Sequence, residues 1–203
     1  MTKLALKYNR TLPQMLYWET EKGVEFLESV GVKADDTVLD FGCRVGHYTV
    51  PAAKAVGSKG TVYAMDTQED ALAELEQKKN IQKQTNIRII KTFGQLSLPL
   101  KGSIIDVVLF YDVLHYLKET DRRKLYREAF RVLKQNGLLS VYPKHCLGDN
   151  PIMEFQNMGM ENIKGEIQDS SFVFSKQHCG FISHDDGLNQ GCVLNFIKCK
   201  EKD

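Results

Sequence analysis

The 203-residue chain has almost no net charge: 27 Lys and Arg stand against 26 Asp and Glu, a formal +1. So close a balance removes the general electrostatic attraction that draws proteins to nucleic acid or to an anionic membrane, and no nucleic-acid partner is expected. No apolar run approaches the ~18 residues of a spanning helix, and no signal-peptide pattern opens the sequence. A cytoplasmic protein without a membrane span is the expectation. Five cysteines are an odd number with no C-x-x-C spacing, which argues against a disulfide framework and a standard zinc site. Buried, reduced thiols are expected instead, and no metal. Stretches rich in Pro, Gly or Ser, low-complexity runs and repeats are missing, so one domain over residues 1–203 is expected, long enough to bury a full core. There is no G-x-G-x-x-G, against a nicotinamide dehydrogenase, and no G-x-x-x-x-G-K-[ST], against an NTPase.

What is present is an alternation of short apolar runs and helical patterns. Leu12 to Val30 carries apolar residues at helical intervals, with Pro13 near its start and Gly31 at its end. Thr37 to Asp40 reads as a buried strand that turns through Gly42 and Gly46 into a helix from Tyr48 to Val56. Thr61 to Met65 is a second strand, Glu69 to Lys79 a helix, Ile87 to Lys91 a third strand and Ile104 to Phe110 a fourth. Thr120 to Leu133 is a further helix, closed by Gln135-Asn136-Gly137 before a fifth strand, Leu138 to Tyr142. The charges of Asp121 to Lys124 read as a solvated helix face. Ile163 to Gln168, Ser171 to Ser175 and Gly191 to Cys199 read as strand-like pieces, the last ones an antiparallel hairpin on the sheet edge. The fold class is therefore α/β, a doubly wound, mostly parallel sheet.

In open α/β sheets ligands sit beyond the carboxyl ends of the strands, so the residues after each strand come first as candidates. Asp40-Phe41-Gly42-Cys43-Arg44-Val45-Gly46 follows the first strand. Asp66 ends the second, 24 residues beyond Gly42 and close to the spacing of ~20 for an acid that accepts ribose hydroxyls. An ordinary βα turn and a helix-capping Asp are the bland alternatives. The stretch Thr37 to Thr49 resembles the first motif of class I S-adenosylmethionine-dependent methyltransferases, D-x-G-x-G-x-G, with Arg44 in place of the middle glycine. The resemblance covers roughly Asp36 to Tyr142 and is nearest in flavour to the small-molecule enzymes of ubiquinone and menaquinone biosynthesis. It implies a seven-stranded sheet, S-adenosylmethionine as cofactor and a small-molecule methyl acceptor. It further implies a core over 36–142, an N-terminal covering segment over 1–31 and a substrate-side segment with the hairpin over 144–200.

Carried onto this sequence, the family's cofactor positions are Asp40, Gly42, Cys43, Arg44, Gly46, Asp66, Thr67, Gly94, Gln95 and Tyr111. Many relatives place an acid where Gly94 stands, and Gln95 is the available substitute. Arg44 leaves three readings open: a side chain in solvent, a fork on the cofactor carboxylate, or a bulky residue that closes the site if the backbone there is left-handed. His115, beyond the fourth strand, and His145, beyond the fifth, are the candidate bases, with packing as the alternative. His145-Cys146 and His178-Cys179 are spaced too closely for one tetrahedral ion, and Cys192 and Cys199 fall on opposite strand faces. A lid from Met1 to Gly31 and Lys144 to Ile163 offers Tyr17, Trp18, Phe155 and Met158, which equally suit a core. The competing function is a methyltransferase-fold protein with a degenerate cofactor site serving as a non-catalytic partner subunit, motivated by Arg44 and Gly94.

Overall fold

The computed structural model describes residues 13–199. The predicted helix start at Leu12 and the part of the expected lid that falls on residues 1–12 lie outside the described residues. Seven strands form one mixed sheet in the order β3-β2-β1-β4-β5-β7-β6. Two compact units make up the chain: one holds the residues up to Phe93 with Gly180–Gly191, the other Gly94–Cys179 with Cys192 onward.

The first unit begins with α1 (Pro13–Tyr17), a π-helical turn (Trp18–Lys22) and α2 (Gly23–Val30). The wider turn rephases the helix so that two consecutive residues, Trp18 and Glu19, both face inward with Met15, Leu27 and Val30. Trp18 is thus core, packing edge-on against Tyr48, whereas Tyr17 is exposed. Next come β1 (Thr37–Phe41), α3 (Thr49–Val56), β2 (Thr61–Asp66), α4 (Glu69–Ile81) and β3 (Ile87–Lys91). Helical crossovers impose parallel pairing: β1 runs beside β2 from Thr37↔Thr61 to Phe41↔Met65, and β2 beside β3 from Val62↔Ile87 to Asp66↔Lys91. Asp40 and Asp66 consequently stand at the same, carboxyl end of neighbouring strands.

The second unit contains β4 (Ile105–Tyr111), a 3-10 turn (Leu114–Tyr116), α5 (Glu119–Val132), β5 (Leu133–Tyr142) and α6 (Met160–Gln168). The Gln135-Asn136-Gly137 turn proves to be a bulge inside β5, where the register with β4 jumps from Ile105↔Leu133 to Val107↔Leu138 and Asn136 takes φ +62°. α6 corrects the strand expected over Ile163 to Gln168. Ile163, Glu166 and Ile167 are buried at helical spacing, and the Asn162 side chain accepts the Gly159 N–H at the helix start. Two isoleucines four apart share a face in either a strand or a helix, so periodicity alone did not decide.

Arg122 decides it, and corrects the reading of Asp121 to Lys124 as a solvated face. Its guanidinium is buried, donating from Nε to Glu166 Oε1 at 2.7 Å and from Nη2 to Glu166 Oε2 at 2.6 Å. The Tyr126 hydroxyl adds a third donor to the same carboxylate at 2.9 Å, and the Phe155 ring lies 4.6 Å beneath the guanidinium. Phe155 is accordingly core. Such a buried, bidentate pair holds its geometry because either charge left alone would be costly.

The tail forms β6 (Phe172–His184) and β7 (Gly187–Lys198), far longer than the expected Ser171 to Ser175 and Gly191 to Cys199, with β7 antiparallel to β5. Lys176 and Gln177, exposed on β6, masked the strand signal. Cys179 and Cys192 are joined by a disulfide, against the expectation of reduced thiols, while Cys43, Cys146 and Cys199 are free. Hairpin register places the two thiols opposite each other across adjacent strands, a proximity that the spacing of cysteines in a sequence does not report. Among the described residues no helix is long and apolar enough to cross a membrane.

Candidate functional site

In the first unit the loop from β1 to α3 reverses direction repeatedly, with Gly42 at φ +80°, Arg44 at +44° and Gly46 at +88°. Gly46 has two reasons to be glycine: that φ, and a Leu75 Cδ1 only 2.4 Å from where a Cβ would stand. Arg44 adopts the left-handed backbone that a middle glycine would take without strain. The loop's N–H groups are turned inward. Those of Gly42 and Cys43 donate to Met65 O at 2.8 and 3.0 Å, that of Gly46 to Cys43 O at 2.8 Å, and that of Arg44 to Asp66 Oδ2 at 2.7 Å. Asp66 Oδ1 accepts from the Gln68 N–H at 2.8 Å, with Thr67 exposed between. The carboxylate of Asp66 is thereby fixed by one N–H on each oxygen, and each oxygen keeps a lone pair for a further donor.

Asp40 lies beneath this loop, fully buried, accepting from Thr49 Oγ1 at 2.6 Å. Burial pushes its carboxyl up to about 7; the Thr49 hydrogen bond works against that rise and the Asp66 charge adds to it. Burial likewise raises the Cys43 thiol, so it is no thiolate nucleophile at neutral pH. Because the folded pKa of Asp40 exceeds the unfolded one near 3.8, its contribution to stability is most favourable below about pH 4 and is lost as pH rises toward 7. Asp40→Asn should therefore gain on the wild type by about 4 kcal/mol between pH 4 and pH 8 in urea unfolding, a shift of about three units at 1.36 kcal/mol each. A difference that stays constant across that range would show Asp40 ionised throughout.

The Arg44 side chain, 44% exposed, points to Asp185 in the β6–β7 turn, with 3.4 Å between Nη1 and Oδ1. Beside it His47 bridges Glu19 at 2.8 Å and Asp186 at 3.3 Å, and the Tyr48 hydroxyl donates to Ser183 O at 2.6 Å. Lys78, wholly buried on α4, donates to the same Glu19 Oε1 at 2.6 Å. Burial alone would raise the Glu19 carboxyl, but the His47 hydrogen bond and the Lys78 charge carry it below its usual value. Burial alone would lower His47, and its hydrogen bonds to Asp186 and Glu19 carry it upward. None of these partners was legible in the sequence, since 28 residues separate His47 from Glu19 and 139 separate it from Asp186.

In the second unit Gly94 has φ +85° with open space where a Cβ would stand, and Gln95 beside it is exposed. Tyr111 ends β4, buried, its hydroxyl sharing a hydrogen with Ser140 Oγ at 2.7 Å. His115 and His145 come together, ring centroids 4.5 Å apart and edge to face, both buried. Asp112 joins them, its Oδ1 3.7 Å from His115 Nδ1. Asp112 was not among the candidate site residues, because a single acid after a strand carries no sign that two histidines will meet it. The Cys146 thiol is pushed up to about 11 by burial and the Asp149 charge, and Cys179 is in its disulfide, so neither is a ready thiolate.

A cleft of about 410 Å³ adjoins His115, lined also by Tyr116, Ile152, Met153, Glu154 and Gln156. Tyr116 and Ile152 are largely exposed in an open cleft whose lining is otherwise mainly polar.

Comparison with known proteins bears on the chain's relatives and fold. Residues 38–137 match the family model described as a methyltransferase domain. The chain is 28% identical over 145 residues to a demethylmenaquinone methyltransferase of Lactobacillus johnsonii, covering 69% of this chain and 57% of that protein. It is 29% identical over 154 residues to a 2-phytyl-1,4-naphtoquinone methyltransferase of Nostoc, covering 75% of this chain and 65% of that protein. The match thus spans less than two thirds of either relative's length. A crystal structure of a SAM-dependent methyltransferase from Aquifex aeolicus superimposes with a TM-score of 0.73 at 20% identity, covering 98% of this chain and 100% of that one. The chain is thus similar to methyltransferases over residues 38–137, and its seven-stranded sheet has the fold of class I methyltransferase structures.

Proposed function

We propose that this protein transfers a methyl group from S-adenosylmethionine to a small, ring-bearing acceptor of the quinol or phenol class. The observation that carries the cofactor half is Asp66. A carboxylate fixed by the Arg44 and Gln68 N–H groups, with acceptor capacity left on both oxygens, suits the two hydroxyls of a ribose. Asp40, Gly42, Cys43, Arg44, Gly46 and Thr67 surround that carboxylate in sequence and loop geometry, and with Asp66 they are the residues we assign to the cofactor. Bound there, the cofactor supplies a methyl group already activated on a sulfonium, leaving the protein to bind, orient and exclude water.

The left-handed backbone on which the site-closing reading of Arg44 depended is present, at φ +44°, but the side chain is directed away from the Asp66 carboxylate. The residue's backbone N–H is itself one of the donors to Asp66, and its guanidinium is turned to Asp185. No observation favours the non-catalytic alternative.

The acceptor class follows from two supports. The Lactobacillus and Nostoc relatives carry names of quinone-methylating enzymes. The open cleft beside His115, mixed in its lining, adds two exposed apolar side chains, Tyr116 and Ile152, on which a small ring can lie. His115 and His145 are the proposed groups facing an acceptor hydroxyl. The test is incubation with methyl-labelled S-adenosylmethionine and a panel of reduced naphthoquinones and phenols, read by mass spectrometry. One added methyl group on a panel member is the expected result. Cofactor binding without transfer to any of them would overturn the acceptor class, and absence of cofactor binding would overturn the whole reading.

A further inference from the structure

Asp112, His115 and His145 come from three separate segments: the turn after β4, the 3-10 turn and the segment after β5. Their donor atoms all lie within 4.8 Å of one another. Donors bound at ~2.0–2.1 Å to one ion stand about 2.8–3.4 Å apart in octahedral or tetrahedral geometry, so the 3.7 Å between Asp112 Oδ1 and His115 Nδ1 needs a small closure and the other pairs, within 4.8 Å, a closure of an ångström or so. Two of the three, Asp112 at φ +57° and His145 at φ +55°, hold left-handed backbone that non-glycine residues rarely adopt. Both histidines are almost fully buried, while Asp112 retains 18% side-chain exposure.

Two imidazoles and one carboxylate select among metals. Calcium and magnesium prefer all-oxygen shells, and thiolate-loving ions would need sulfur. A nitrogen-rich set with three protein donors suits zinc, cobalt, manganese or iron in the divalent state, with positions left over. His115 also borders the cleft of about 410 Å³, and Asp112, the partly exposed member of the set, is the ligand an entering ion meets first.

We propose that Asp112, His115 and His145 form a binding site for a first-row divalent transition-metal ion of the zinc class, opening on the cleft beside His115. The site stands on this donor geometry and is independent of the Asp66 cofactor reading, so either can fail alone; it shares His115 and His145 with the acceptor reading, in which a bound ion would meet the acceptor hydroxyl in their place. It also gives the two histidines a joint role that two packed rings would not have, since imidazoles converging on a carboxylate can serve as a cation's ligands.

The test uses the full chain, stripped with a chelator and titrated with cobalt(II), followed by its d–d absorption and by calorimetry. One ion per chain with a micromolar or tighter dissociation constant is expected, displaced by zinc(II) and unaffected by magnesium. Asp112→Asn and His145→Gln should each weaken binding roughly tenfold or more, with His178→Ala unchanged as a control for other histidines. Should the buried variants fail to fold, paramagnetic shifts in the wild type serve instead, and they should fall on the His115 and His145 ring signals. Absence of saturable cobalt binding, retention of full affinity in folded variants, or paramagnetic shifts centred elsewhere would overturn the proposal.

Discussion

Arg122→Ala is expected to lower the free energy of unfolding by about 3–5 kcal/mol, the usual loss when one partner of a buried ion pair is removed. The variant leaves the Glu166 carboxylate buried with only the Tyr126 hydroxyl donating to it, and strips the cation from the Phe155 ring. It also removes the N–H that donates to Leu117 O at 2.6 Å, so α5, the segment before it and α6 all lose a shared anchor. The measurement is urea unfolding followed by circular dichroism. Replacing both partners by apolar residues, Arg122→Met with Glu166→Leu, should recover much of the loss, because no lone charge then remains inside. A single substitution costing under about 1 kcal/mol would place the pair in the weak class of exposed ion pairs and contradict its burial.

Gly46→Ala is expected to destabilise the first unit by about 2–4 kcal/mol, combining left-handed backbone strain with overpacking. The new methyl group would stand 2.4 Å from Leu75 Cδ1, and Leu75 is fully buried on α4, so it has no free space to move into. Relief would come by shifting the loop, which carries the Arg44 N–H away from Asp66. Cofactor affinity should therefore fall together with stability, by roughly tenfold or more, in a calorimetric titration of the folded variant. Gly57→Ala makes a useful companion. It also has positive φ, +68°, but nothing lies within 4 Å of where its new methyl group would stand, so strain is separated from crowding.

The proposed cofactor half of the site could be read from the sequence because it is local. Gly42, Gly46 and the acid Asp66 sit within one βαβ unit, where strand, loop and helix follow each other in sequence and the spacing itself carries the geometry. The parallel pairing was legible for the same reason, since β1, β2 and β4 are each followed by a helix that returns the chain to the same end of the sheet. What escaped depends on residues that meet only after folding. Arg122 is one charge in a run of four, and nothing nearby in sequence says that Glu166, 44 residues on, awaits it. Glu19 and Lys78 looked like ordinary charges on amphipathic helices, yet they pair across 59 residues in the interior. The Asp112 carboxylate reaches the histidines through a left-handed residue, a backbone state that residue identity does not announce. Arg44 was ambiguous for a related reason: its three readings differ in a backbone angle and a side-chain direction, and the structure supplies both.

The central claim is that Asp66, held by the glycine-bearing loop, seats the cofactor's ribose. Titration of the purified protein with S-adenosylmethionine and S-adenosylhomocysteine by calorimetry, beside Asp66→Ala, tests it most directly. Micromolar binding by the wild type is expected, with Asp66→Ala weakening both ligands by about 2–3 kcal/mol, the loss of charge-assisted hydrogen bonds. Wild-type protein that binds neither ligand at millimolar concentration, or a folded Asp66→Ala variant that binds both as tightly as the wild type, would contradict the account.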